Sequence, residues 1–255
     1  MNKIFGFFCV LCVSSAYPAS LFSQDPRAIV LEVQKRNRSS SQRYEGTLQV
    51  IDSKKVTDKR WAFQRIGSFG ESKAVLRFTA PAEVKGVALL IVNHPDRASD
   101  QWMWTPSLER ERRIAFQDRS TRFFGTDFSF EDLEERDVEQ ADFKYIGEEK
   151  VDGVDCWLLE ARPKGSKQSQ YTVSKIWVRK DHYLYMQVES YVKEQLARRM
   201  KYSDFAEVKS VWTGRTLEVA DLRRASRTIM KFEKLDYNVP MKDEDFTIQG
   251  LRREN

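Results

Sequence analysis

Residues 44–50 have the sequence YEGTLQV, in which the large apolar residues Tyr44, Leu48 and Val50 are separated by even numbers of positions. Tyr44, Leu48 and Val50 share one face if this stretch is a β-strand, because successive strand side chains point to opposite faces. The same period of two recurs in 61–65, 74–80, 102–104, 156–161, 176–178 and 184–188. The apolar run 89–92 and the segments 200–205, 212–219 and 228–235 continue the series of strands. The pattern predicts ten or eleven strands.

The connections between these strands are short and contain turn residues, as at 151–153 (VDG) and 213–214 (TG). Within this series of strands, no internal repeat, proline-rich linker or low-complexity tract divides the chain. We therefore expect a mainly β protein of the α+β type, with one large antiparallel sheet. A sheet of this size curls or is covered, since a flat one leaves long edges and an unpacked face.

Two segments are predicted to be helices around which the sheet curls. The first begins at Asp25, an N-cap carboxylate followed by proline, and ends in the polar cluster 37–41. The second covers 129–136, where Ser129 is a candidate cap and Asp132 lies three residues later. The apolar stripe of the first helix is Ile29, Val30 and Val33.

The N-terminal residues have the layout of a secretory signal peptide. Lys3 precedes an apolar run over 4–13, and small residues follow. The run is too short for an ordinary membrane-spanning helix. We expect a signal peptide over 1–19, with cleavage near 16–19, and a single exported domain over 20–255.

The cysteines agree with export. Leu11 before Cys12 does not fit a lipid-anchoring site, which needs a small residue there. Loss of Cys9 and Cys12 with the signal peptide would leave Cys156 alone, without a disulfide or a cysteine metal cluster. We expect Cys156 to be a buried small apolar residue; a reactive thiol is the alternative.

Charge is abundant but mixed in sign. The chain has 43 basic and 38 acidic residues, a formal charge of +5. This balance indicates solubility and does not favour nucleic-acid binding. Arg110, Arg112 and Arg113 are expected at a solvated strand edge, with a phosphate head group or an acidic partner as the alternative.

The sequence offers little for catalysis. His94 and His182 are the only histidines, and no nucleophile elbow, phosphate loop or dinucleotide motif occurs. Glu131 and Asp132 are adjacent, so on a helix they would point to different sides. We predict no catalytic residue, no metal and no cofactor; an unrecognised hydrolase is a remote alternative.

Residues 122–133 (RFFGTDFSFEDL) contain four phenylalanines. Burying each one contributes about 1.5–3 kcal/mol, so an exposed loop of this composition is costly. Gly125 permits a backbone conformation that other residues resist. We expect the segment to plug an apolar cavity as a lid or wedge; a plain core-packing loop is the alternative.

Several blocks resemble the outer-membrane lipoprotein-sorting protein family, relatives of the periplasmic lipoprotein carrier LolA. They are Pro81 with KGVALL at 85–90, QWMWTP at 101–106, RRI at 112–114 and FGTDFSFEDL at 124–133. The resemblance implies an incomplete β-barrel wrapped over helices, an apolar concave face that accepts acyl chains, and a periplasmic location.

The resemblance also implies a function, a periplasmic carrier or binding protein for acyl chains of lipoproteins or other lipids. An inner-membrane transporter or an outer-membrane acceptor would be its partner. A lipid-sensing or exporter-accessory module is the alternative. The alternation suggests these lipid-binding residues: Leu48, Val50, Trp61, Phe63, Leu76, Phe78, Leu90, Val92, Trp102 and Trp104, covered by Phe124, Phe128 and Phe130.

Overall fold

The computed structural model describes residues 25–164 and 169–253. The predicted signal peptide, 1–19, lies outside the described residues. The helices are α1 (Pro26–Arg36) and α2 (Ile248–Leu251). The strands are β1 (Ser41–Ile51), β2 (Val56–Ser68), β3 (Glu71–Ala80), β4 (Ala88–Val92), β5 (Asp100–Thr105), β6 (Arg110–Arg113), β7 (Ala141–Val151), β8 (Val154–Pro163), β9 (Val173–Arg179), β10 (Leu184–Val192), β11 (Gln195–Val208), β12 (Val211–Asp221) and β13 (Ser226–Tyr237).

The strands form one antiparallel sheet in the order β6-β5-β4-β3-β2-β1-β13-β12-β11-β10-β9-β8-β7. The first strand, β1, pairs with the last strand, β13, at the centre of the sheet. The sheet is not closed, because β6 and β7 lie at its opposite edges. Residues 114–140, here called the crossing segment, return the chain from one edge to the other. The predicted open, curled, mainly β fold is confirmed.

The sheet has thirteen strands within the described residues, against the ten or eleven predicted. The strand series missed β6 and β7, which are the two edge strands. β6 consists of four charged residues, RERR, and therefore has no apolar alternation. β7 has an irregular register between Tyr145 and Gly147, and much of it is exposed. Edge strands have one unpaired side, so they carry charge that obscures the period of two.

α1 forms as predicted. The Asp25 carboxylate accepts a hydrogen bond from the backbone N–H of Arg27, and proline occupies the first turn. Ile29, Val30 and Val33 are buried against Trp157, Leu159 and Val178 of the sheet. The helix thus covers the inner face of β8 and β9.

The second predicted helix, 129–136, is wrong. Only Glu131–Leu133 forms a single 3-10 turn, and Glu134 is already extended, with φ −78° and ψ 144°. Ser129 and Asp132 do exchange capping hydrogen bonds, as the sequence suggested. The helix does not continue because successive carboxylates of this stretch bind arginines from different parts of the chain, as described below.

The four phenylalanines of residues 122–133, within the crossing segment, fill the inner face of the N-terminal half of the sheet. Phe123 stacks on Phe78 with ring centroids 5.4 Å apart, and Phe128 and Phe130 are buried in the same cluster. Gly125 has φ +74°, the conformation expected of glycine at this turn. The segment is therefore a wedge built into the core.

The outer face of β3–β5 is covered by the C-terminal residues. Phe246 and Leu251 are buried against Leu90 and Ala88 of β4. Strand alternation explains this second layer, because Leu90 points away from the face to which Leu89 contributes.

Candidate functional site

A cavity of about 320 Å³ lies between α1, the crossing segment and the inner face of β7–β11. This volume is at the lower end of the range for small-molecule sites, about 300–1,000 Å³. Its apolar lining comprises Val30, Phe69, Ala98, Val138, Ala141, Phe143, Ala161, Pro163, Ile176, Val188 and Met200. Tyr171, Tyr185 and Tyr202 also line it.

The strand register arranges the floor of the cavity in rows. Val188 of β10 pairs with Ile176 of β9 and with Met200 of β11, so the three form one apolar row. Ser190 pairs with Ser174, and their hydroxyls lie 3.2 Å apart in the adjacent row. These serines are small, and together with the gap beneath α1 they leave open space. In the other half of the sheet, the corresponding space is filled by the phenylalanine wedge.

A second cavity of about 580 Å³ adjoins the first. The two share Arg119, Glu131, Pro163, Ser169 and Tyr171 in their linings. Phe116, which is 46% exposed, is one of the residues that line the second cavity and not the first. The serine row and the shared residues thus form a polar end through which the first cavity continues into the second.

Buried ion pairs fix the crossing segment above the cavity. Asp132 is bound by Arg198 of β11, and it accepts a hydrogen bond of 2.7 Å from the Tyr171 hydroxyl. Glu134 accepts a hydrogen bond of 2.7 Å from Nε of Arg119. Because each carboxylate has its own arginine, the part of the crossing segment from 127 to 135, here called the strap, is held in an extended form.

Two further carboxylates tie the ends of this strap to the sheet. Glu135 pairs with Arg65 of β2 and accepts a hydrogen bond of 2.6 Å from Ser72 of β3. Asp127 accepts hydrogen bonds from Ser226 and Thr228 of β13. Asp132, Glu134 and Glu135, which were predicted to lie on a helix, therefore act as anchors, as does Asp127.

Burial shifts the titration of several groups at the cavity. It raises the pKa of Glu134, although the hydrogen bond and charge of Arg119 oppose the shift. Burial raises the pKa of Tyr202 to about 12, with a smaller contribution from Asp132. The pKa of Tyr185 is also raised, by burial first and by Tyr202 second. Both tyrosine hydroxyls are therefore neutral at physiological pH.

The structure separates the predicted lipid-binding residues into two groups. On the inner face, Leu48, Trp61, Leu76, Phe78, Phe128 and Phe130 form one buried cluster, with Phe63 and Phe124 packed against it. Val50 is also buried. On the outer face, Leu90 lies in the cluster covered by the C-terminal residues, with Val92, Trp102 and Trp104 packed against it.

None of these thirteen residues is among those that line the cavity. Their role as lipid contacts stays a prediction. Sequence reasoning favoured them because they are large, but large side chains fill the space between layers instead of leaving it open. The signal that could have found the cavity was the presence of small or medium residues at the cavity-facing positions of 174–176 (SKI) and 188–190 (VES).

Of the other residues singled out from the sequence, the adjacent carboxylates Glu131 and Asp132 line the cavity, whereas the arginines of 110–113 and both histidines lie outside its lining. Arg110, Arg112 and Arg113 form the exposed edge strand β6, as expected. His94 contacts Asp100 at 3.0 Å. His182 stacks on Trp212 with centroids 3.9 Å apart. Within 25–164 and 169–253, no cluster of three or more His, Cys, Asp or Glu side chains is arranged to hold a metal ion.

A protein-family model described as "Uncharacterized protein" matches residues 70–253, more than half of the chain. The chain belongs to this family. Curated protein sequences gave no match. Neither helix within the described ranges has the length and hydropathy to traverse a bilayer.

Solved structures share the fold over most of the chain. A protein domain from Vibrio parahaemolyticus, described as an outer membrane lipoprotein-sorting domain, has a TM-score of 0.85 at 24% identity, covering 89% of this chain and 98% of its own. A DUF1329 family protein from Desulfovibrio piger has a TM-score of 0.85 at 27% identity, covering 89% and 99%. A LolA superfamily protein from Nitrosomonas europaea has a TM-score of 0.70 at 16% identity, covering 88% and 98%. The resemblance to lipoprotein-sorting, LolA-like proteins predicted from the sequence is confirmed.

Proposed function

We propose that the protein binds an acyl chain of a lipid or lipoprotein in the cavity beneath α1. It would act as a non-catalytic periplasmic carrier in outer-membrane biogenesis. The observation that carries this proposal is the apolar row Ile176, Val188 and Met200, which lines the cavity. A buried acyl chain gains about 0.8 kcal/mol per methylene and needs no catalytic group.

The fold relatives support the same function. The Vibrio parahaemolyticus domain is described by its role in outer membrane lipoprotein sorting, and the present sheet matches it over 89% of the chain. The wedge also supports it, because Phe123, Phe128 and Phe130 already fill the N-terminal half. A ligand would therefore enter the C-terminal half, where the described residues leave a cavity.

A displacement experiment with a fluorescent acyl probe tests binding at this place. The Val188→Trp variant puts a large ring on the cavity floor, and we expect it to weaken probe binding at least about tenfold. Gln187→Trp, on the same strand and outside the cavity lining, is the matched control and should leave binding unchanged. Equal probe affinity in wild type and Val188→Trp would contradict the proposed site.

A second experiment separates a carrier from the alternative lipid-sensing or exporter-accessory module. Protein loaded with a labelled acylated molecule is mixed with acceptor vesicles, and the label in the vesicles is followed over time. A carrier delivers the label, whereas a sensor retains it. An inner-membrane transporter and an outer-membrane acceptor are the proposed partners of the carrier.

A further inference from the structure

Two tyrosine hydroxyls lie on the cavity floor beyond its apolar row. Tyr185 of β10 and Tyr202 of β11 both line the cavity. They are close enough for one to affect the titration of the other. Among the described residues, no side chain or backbone group makes a hydrogen bond to either hydroxyl. Two hydroxyls without a partner in the described chain thus line the cavity beside the apolar row of Ile176, Val188 and Met200.

This arrangement differs from that of the third tyrosine of the cavity. The Tyr171 hydroxyl donates to Asp132 and accepts from Arg198 at 2.9 Å, so its hydrogen-bonding capacity is used within the protein. Tyr185 and Tyr202 are only partly buried, and neither hydroxyl is among the buried polar atoms that lack a partner. Both hydroxyls are therefore available to a polar group that comes from outside the chain.

The position of the pair indicates where that polar group lies in a ligand. Along β10, Ser190 belongs to the polar end of the cavity, Val188 to the apolar row and Tyr185 to the far side. At about 3.3 Å per strand residue, Ser190 and Tyr185 are about 16 Å apart. A head group at the polar end thus leaves the tyrosines facing the chain part of the ligand.

We propose that the ligand is an amphiphile whose chain itself carries a hydroxyl group, which binds Tyr185 and Tyr202. This inference rests on the proposed function and narrows its ligand class. A plain saturated chain leaves both hydroxyls unpaired, whereas a hydroxylated chain both donates and accepts there. The tyrosines thereby act as specificity residues for the interior of the ligand.

The test compares two uncharged esters, methyl octadecanoate and its mid-chain hydroxylated counterpart, as competitors of a fluorescent acyl probe. Wild type should bind the hydroxylated ester about tenfold more tightly, as one or two net hydrogen bonds give. The double variant Tyr185→Phe/Tyr202→Phe should lose this preference and bind the plain ester at least as well as wild type. Tyr191→Phe, whose hydroxyl bonds to Glu189 away from the cavity, should keep the preference.

The possible failures are distinguishable. If both esters bind wild type equally, or if the double variant keeps the preference, the inference is overturned while acyl binding stands. If neither ester displaces the probe, the proposed function falls and the inference falls with it. Thermal unfolding of each variant confirms that the comparison is made on folded protein.

Discussion

Arg198 of β11 and Asp132 of the crossing segment form an ion pair in which the side chains are only 2% and 1% exposed. Asp221 of β12 lies 3.8 Å from the same guanidinium. The pair joins the strap to the strands that floor the cavity. Removing one partner leaves an uncompensated charge in the interior, which is the costly case for a buried ion pair.

Replacing Arg198 with methionine should therefore lower the free energy of unfolding by about 3–5 kcal/mol. Urea denaturation followed by tryptophan fluorescence measures the change. Arg227→Met is the matched control, because Arg227 of β13 is 52% exposed and pairs with Glu218, which is itself 37% exposed. Its cost should stay below about 1 kcal/mol. Similar values for the two variants would refute the anchoring role of the buried pair.

Leu90→Ala should separate stability from ligand binding. Leu90 is 2% exposed in the outer cluster with Phe246 and Leu251, so the truncation should cost about 2–5 kcal/mol. Leu90→Ala protein that remains folded should bind a fluorescent acyl probe with wild-type affinity, because Leu90 is not part of the cavity lining. Weakened binding in Leu90→Ala would instead support the sequence-based prediction that this residue contacts lipid.

Cys156 should be inert while the protein is folded. It is fully buried, and burial raises the pKa of its thiol to about 11. At pH 8 the folded protein then has very little thiolate, which is the nucleophilic form. Alkylation by iodoacetamide, followed by mass spectrometry, should be slower by about a hundredfold or more than in denaturant. Comparable rates would favour the reactive-thiol alternative.

Asp100 should make stability depend on pH. Burial by itself raises the pKa of this carboxyl, but hydrogen bonds from Arg97, Arg113 and His94 outweigh burial and hold the pKa well below its ordinary value. A carboxyl with a depressed pKa in the folded state stabilises the protein above its unfolded pKa, near 4. That contribution is lost as the pH falls from there toward the folded pKa.

Asp100→Asn should accordingly lower the melting temperature at pH 7, and its difference from wild type should shrink below about pH 4. Asp96→Asn provides the control, since Asp96 is an exposed neighbour in the same loop. Melting temperatures between pH 2 and 7 give the comparison. A difference that is constant over this range would exclude titration of Asp100 as its cause.

The central strands were predictable from the sequence because their side chains report burial on one face. Leu48, Trp61 and Leu76 alternate with polar residues and lie in one buried cluster, as expected. α1 was equally clear, since Asp25 and the proline after it mark its start. The apolar pattern did not reveal the edge strand β6, because a solvated edge imposes no apolar period on its residues.

The cavity was beyond the reach of the pattern for a different reason. A void depends on what lies opposite each strand, and a strand pattern does not indicate how closely α1 and the crossing segment approach Val188 or Ser190. The predicted helix over 129–136 failed similarly, because Asp132 and Glu134 meet their arginines only in the folded chain. Long-range ion pairs here override the local capping signal at Ser129.

Mass spectrometry of organic extracts from protein purified without detergent tests the central claim most directly. We predict a stoichiometric acylated species with wild type and with Gln187→Trp, and its loss from folded Val188→Trp. No acylated species with wild type, together with no binding of added acyl probes, would contradict the account of a lipid-binding cavity.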